Sequence, residues 1–184
     1  MRRRQYIVTI GTAGAVALAG CSGDDSSGGS DLPFEREVDP SRTYLRTNND
    51  DAGNAQPIDI GSLGIQSGST LRIIRQGSFT GSSGGTGMTG VFSGSDELAG
   101  SDTRERVVDA VDAGEDYETS PTFEGSQPTD IPEDFLIADN EDNQMSVTVT
   151  VPDGATHLFV AAIDNLYGDN GQGETPFGVR IESA

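Results

Sequence analysis

Apolar residues in this chain come in short runs that mostly repeat at every second position, and no long segment carries a helical period. That periodicity constrains the fold most, because strand side chains alternate between two faces while helix side chains recur about every 3.6 residues. From Gln144 to Val151 the alternation is clean. Met145, Val147, Val149 and Val151 share one face and Ser146, Thr148 and Thr150 the other, which predicts a half-exposed antiparallel strand. Pro152-Asp153-Gly154 supplies the turn that follows. His157 to Ile163 is apolar on both faces, the pattern of a strand central to a sandwich. Phe177, Val179 and Ile181 then alternate with Gly178, Arg180 and Glu182. Shorter candidate strands are Thr43-Tyr44-Leu45-Arg46, Pro57-Ile58-Asp59-Ile60, Leu71 to Arg75, Val91-Phe92 and Phe135-Leu136-Ile137. About eight short strands with Gly, Pro and Asp turns between them predict an all-β chain, a β-sandwich or jelly roll.

The stretch from Asp96 to Asp142 departs from this pattern. It carries 16 of the 30 acids and few apolar residues, so it reads mostly as loop. Arg106-Val107-Val108 is a candidate strand within it. Val107, Val108 and Val111 leave one helical turn as the alternative, and β-branching favours the strand.

The N-terminus has a different organisation. Arg2, Arg3 and Arg4 precede an uncharged stretch from Tyr6 to Ala19 that ends in Leu18-Ala19-Gly20-Cys21. A basic start, a short apolar core and small residues before a cleavage point predict an export signal over residues 1–20. The apolar run is shorter than the roughly 20 residues needed to span a bilayer. Arg3-Arg4 resembles a twin-arginine signal, and Leu-Ala-Gly-Cys resembles a lipobox, which implies lipidation at Cys21. The alternative is a cytoplasmic chain in which Cys21 is an ordinary buried cysteine. Residues 21–32 are expected to form a disordered tether, since Ser22 to Ser30 offers no apolar side chain to bury. Residues 33–184 are then the folded domain, held at the extracellular face of the cell membrane by lipid on Cys21. A single cysteine leaves no internal disulfide, so the core, bound ions or both must stabilise the domain.

Charge narrows the partners. The chain has 11 Lys+Arg, every one of them arginine, against 30 Asp+Glu, a net charge of −19. Loss of Arg2, Arg3 and Arg4 with the signal would leave 8 arginines against 30 acids, near −22. Such a balance resembles that of proteins from salt-loving organisms, with an ordinary acidic secreted protein as the alternative. Phosphates would be repelled, which excludes nucleic acid as a partner. Anionic lipid is disfavoured except through the anchor.

The block from Val151 to Ile181 holds the densest candidate chemistry. Asp164 ends an apolar strand, and Asp169 and Asn170 follow Tyr167-Gly168. A loop between strands can fold these side-chain oxygens towards Asp164, and the Leu166 carbonyl is free of any ladder. Calcium takes about six to eight oxygen ligands from carboxylates, amides and carbonyls. An Asx-rich turn without metal is the competing reading.

Pro152-Asp-Gly-Ala-Thr-His-Leu158, an apolar strand, Asp164, Tyr167-Gly-Asp-Asn170 and the closing Phe177-Gly-Val179 strand together resemble the PA-IL-like calcium-dependent galactophilic lectins. Ile58 to Ile65 followed by Gly68 to Ile73 and Gly77 is similar to that family's opening strands. The resemblance covers about half of the mature chain, by segments of moderate specificity, and implies a galactose-binding-like jelly roll. It also implies a calcium ion held by Asp164, Asp169, Asn170 and the carbonyls of Leu166 and of Thr80, which precedes Gly81. The loop between Asp164 and Tyr167 is shorter than in those lectins. No His-Pro-x-Gln pattern follows Gly87, so the family's sugar-selecting residues do not carry over. For a carbohydrate ligand, Asp164 and Asp169 are candidate hydroxyl acceptors. Tyr167 is either a stacking face or a loop anchor.

Other matches carry less. Gly81 to Gly85 fits G-x-S-x-G, and Gly85 to Gly90 fits G-x-G-x-x-G, but neither has the helix its chemistry needs. His157 is the only histidine, so the common catalytic triads and His-rich zinc sites are excluded. The expectation is a non-enzymatic, calcium-stabilised module that binds carbohydrate. The alternative is a structural or protein-interaction envelope domain without sugar binding.

Overall fold

The computed structural model describes residues 31–47, 50–82, 84–115 and 131–184. The expected signal, Cys21 and most of the tether lie outside the described residues, as does the centre of the acidic stretch, 116–130. Asp31 already belongs to the folded domain, because its amide donates to Leu63 O at 2.9 Å.

The chain is all-β, and the described residues contain no helix. Among the described residues thirteen strands run in order: β1 Phe34–Glu37, β2 Arg42–Thr43, β3 Gly53–Asn54, β4 Ile58–Asp59, β5 Thr70–Gln76, β6 Phe79–Thr80, β7 Met88–Ser93, β8 Ala110–Val111, β9 Phe135–Ala138, β10 Ser146–Thr150, β11 His157–Ala162, β12 Gly171–Gln172 and β13 Gly178–Ser183. One sheet has the order β1-β13-β5-β10, and the second has β4-β11-β7-β8 with β9 also paired to β7. All pairings in both sheets are antiparallel. Two small ribbons, β12-β6 and a parallel β2-β3, complete the sandwich.

The two sheets bury their side chains differently, as their sequences predict. In β5 the alternation places Leu71 and Ile73 in the core and exposes Thr70 and Arg72. Ile73 faces Ile181 on β13 and Val147 on β10 across the ladder. In β7 every residue is buried, and in β11 every residue after His157 is buried. Both faces of that sheet are therefore covered. Tyr44, just after β2, reaches Thr89 on β7 through a buried hydroxyl bond of 3.0 Å, and Thr89 in turn donates to Phe135 O at 2.9 Å.

The sequence placed a four-residue strand at Thr43 to Arg46, but only Arg42–Thr43 is strand. Beyond it the backbone finds other partners: Leu45 N donates to Thr43 Oγ1 and Thr47 N to Ser101 O. Around Arg106-Val107-Val108 there is a single bridge, Leu98 to Val107, rather than a strand. Glu105 and Asp109 adopt positive φ (51° and 52°) on either side, which ends extended pairing there and also excludes a helical turn.

Candidate functional site

β11 ends at Ala162, where Ile163 N bonds to Gly87 O and the chain leaves the sheet. Asp164 opens the loop to β12. Tyr167, 1% exposed, anchors the middle of that loop in the core, and Asn170 N closes a turn onto Tyr167 O at 3.0 Å. The loop's far end is fixed by the β12-β6 ribbon, in which Gly171 faces Thr80 and Gln172 faces Phe79. Phe79 is in turn held edge-to-face against Phe177, with ring centroids 5.3 Å apart. Gln172 adds two bonds, from its Nε2 to Val38 O at 2.9 Å and from Phe177 N to its Oε1 at 2.6 Å.

This architecture brings Thr80, Asp169 and Asn170 together. Gly81 is the point of closest approach: a Cβ there would collide with Asn170 Oδ1 and lie 3.3 Å from Asp169 Oδ1. Ser82 donates to Asp169 Oδ2 through its amide, at 3.0 Å, and through its hydroxyl. The Ser82 hydroxyl bond first, and the amide bond second, hold the exposed Asp169 carboxyl below the ordinary carboxylate range.

Asn170 and Asp164 differ from Asp169 in being unsatisfied. Asn170 Nδ2 donates to Pro40 O at 3.2 Å, while its Oδ1 is buried and has no hydrogen-bond partner. Asp164 is 6% exposed. Its Oδ1 accepts from Asn165 N at 2.7 Å, and its Oδ2 is buried without a partner. Leaving such a group unpaired costs about 1–3 kcal/mol, more when it is charged. Leu166 sits between them with its side chain 41% exposed.

A residue the sequence did not single out completes the loop. Asp50 accepts from Tyr167 N through Oδ2 at 2.5 Å and from Gly168 N through Oδ1 at 2.8 Å. Its separation of 117 residues from Tyr167 is why no local pattern marks it.

A hard cation fits this donor set in kind: two carboxylates, an amide oxygen turned inward, and the carbonyls of Thr80 and Leu166. Among the described residues no group of three or more His, Cys, Asp or Glu side chains is placed to hold a metal, so the amide and carbonyls would be indispensable. Tyr167 has the position of an anchor, since its buried ring presents no open face for stacking. His157 is half-buried, with Nδ1 2.8 Å from Thr156 Oγ1. A concavity of about 270 Å³ lies elsewhere, between β1 and the segment before β4. The Arg36 and Arg42 guanidiniums that line it are already engaged, by the Pro57 and Gln56 carbonyls and by Asp39.

Comparison with protein-family models, with curated proteins and with solved structures finds no match to this chain.

Proposed function

We propose that this protein is an exported, lipid-anchored surface module whose β-sandwich binds one calcium ion at the loop from Asp164 to Asn170 and uses it to recognise carbohydrate. One observation carries the reading. Asp164 Oδ2 and Asn170 Oδ1, at the two ends of one seven-residue loop, are both buried and both lack a hydrogen-bond partner. Buried oxygens are normally satisfied, and an ion is among the few explanations for a pair that is not. Asp164, Asp169 and Asn170 would hold the cation with the Thr80 and Leu166 carbonyls, and the ion would supply Lewis acidity towards sugar hydroxyls. Leu166 is one of two large apolar side chains exposed among the described residues, which gives the loop an apolar contact for a ligand.

The burial of Tyr167 favours a second reading, in which calcium only orders the loop of a structural or protein-interaction module. Calorimetric titration of calcium at high salt, followed by a glycan array with and without chelator, separates the two. Saturable calcium binding with chelator-sensitive glycan hits is expected. Binding without hits leaves the structural module, and no calcium binding by the wild-type protein overturns both. Asp164→Ala is expected to abolish the rise in melting temperature that calcium confers by binding only the folded state.

A further inference from the structure

We propose that Asp50 is a positioning residue for the cation loop, a role that rests on the calcium reading above. The carboxylate bridges two consecutive amides, Tyr167 N at 2.5 Å and Gly168 N at 2.8 Å, midway between Asp164 and Asn170. Successive backbone N–H groups turned to one point form an anion-binding nest, whose partial positive charge opposes a cation nearby. Asp50 fills that nest from another part of the chain. It cancels the local positive field, adds a full negative charge to the loop and fixes the backbone from which the Leu166 carbonyl and the Asp169 and Asn170 side chains project. The fit is tight: a Cβ on Gly168 would lie 2.6 Å from Asp50 Oδ1. The loop and the strand after it are fastened at two further points, by Asn170 Nδ2 to Pro40 O and by Gln172 Nε2 to Val38 O. Val38, Pro40 and Asp50 thus each bond to the loop or the strand after it from outside, Ser82 bonds to the loop near its far end, and Asp50 is the acid on the loop's central amides.

Two variants attack the clamp from opposite sides. Asp50→Asn keeps one acceptor but removes the charge and sets an amide N–H against a backbone N–H. Gly168→Ala leaves Asp50 intact and displaces its carboxylate. Calcium affinity of the full chain is measured by calorimetry at one fixed high salt concentration, alongside the melting temperature in chelator. Both variants are expected to weaken calcium binding about tenfold or more, as outer partners of metal ligands do. A merely structural contact would lower the melting temperature in chelator and leave the dissociation constant of the folded protein unchanged, which would overturn the proposal. Wild-type affinity in both variants would overturn it while leaving the calcium site standing, whereas wild-type protein that binds no calcium would remove the site and the clamp together.

Discussion

Asp164 and Asp169 stand five positions apart on one loop and live in opposite environments. Asp169 is exposed, and Ser82 satisfies it twice, so its charge is cheap to keep. Asp164 is buried with one oxygen unpaired. The sign of the Asp169 effect follows from the direction of its shift. With its folded value below the unfolded one, its favourable interactions are complete above the ordinary carboxylate range and are lost as pH falls through the folded value. Ser82→Ala removes the leading cause, and the Asp169 carboxyl is expected to titrate closer to its ordinary value, read by NMR on the side-chain carboxyl carbon. An unmoved titration would show that the hydroxyl is not what holds it. The sequence singles out Asp164, Leu166, Asp169 and Asn170 as candidates because they cluster within seven positions after a clear strand, whereas Thr80 enters only through the family resemblance. Asp50 was not, because its role exists only once the fold brings it to Tyr167 and Gly168. Whether Tyr167 stacks or anchors was equally open until burial placed the ring in the core.

Among the elements, those with a long clean period were readable, and of the two-residue ones only β4 falls wholly inside a candidate strand, Pro57 to Ile60. β10 keeps its alternation where the sandwich covers it, with Val149 buried between the exposed Thr148 and Thr150. Met145 has the same parity but precedes the strand and is 50% exposed, so periodicity alone overstated the buried face. β11 is buried on both sides, and its unbroken apolar run announced it. β2, β3, β6, β8 and β12 are held by partners distant in sequence, and nothing within two residues distinguishes them from turn. The edge strand β1 depends on a small residue in its neighbour. Gly178 faces Glu37 in the ladder, and a Cβ there would lie 2.8 Å from the Arg36 carbonyl oxygen. Backbone cannot yield as a side-chain tip can, so Gly178→Ala should cost about 1–3 kcal/mol. Urea unfolding would measure the loss, and hydrogen exchange should show it concentrated in Phe34–Glu37. Wild-type exchange in those four amides would mean that β1 accommodates the methyl without leaving the sheet.

At the scale of the whole molecule, ion pairs and net charge pull in opposite directions as salt is added. On the outer face of the first sheet Arg180 bonds Glu35 at 2.5 Å and Glu182 at 3.1 Å, and Arg72 reaches Glu182 at 3.6 Å. The Glu35 bond first, and the Glu182 bond second, raise the Arg180 guanidinium above its ordinary value. Such solvent-exposed pairs contribute little to stability and weaken with salt. Eleven arginines cannot pair 30 acids, and the surplus of 19 negative charges repels itself throughout the fold. At about 1 M salt the Debye length falls to roughly 3 Å, so repulsion beyond contact distance is screened. Repulsion involves many charges at long range and the attraction a few at short range, so salt should relieve more than it removes. The melting temperature, measured in chelator so that cation binding does not contribute, is therefore expected to rise between about 0.1 and 1 M sodium chloride. A melting temperature that instead fell over that interval would show that the few arginine contacts outweigh the acidic surplus, and the fold would then owe more to its ion-pair ladder than to tolerance of its own charge.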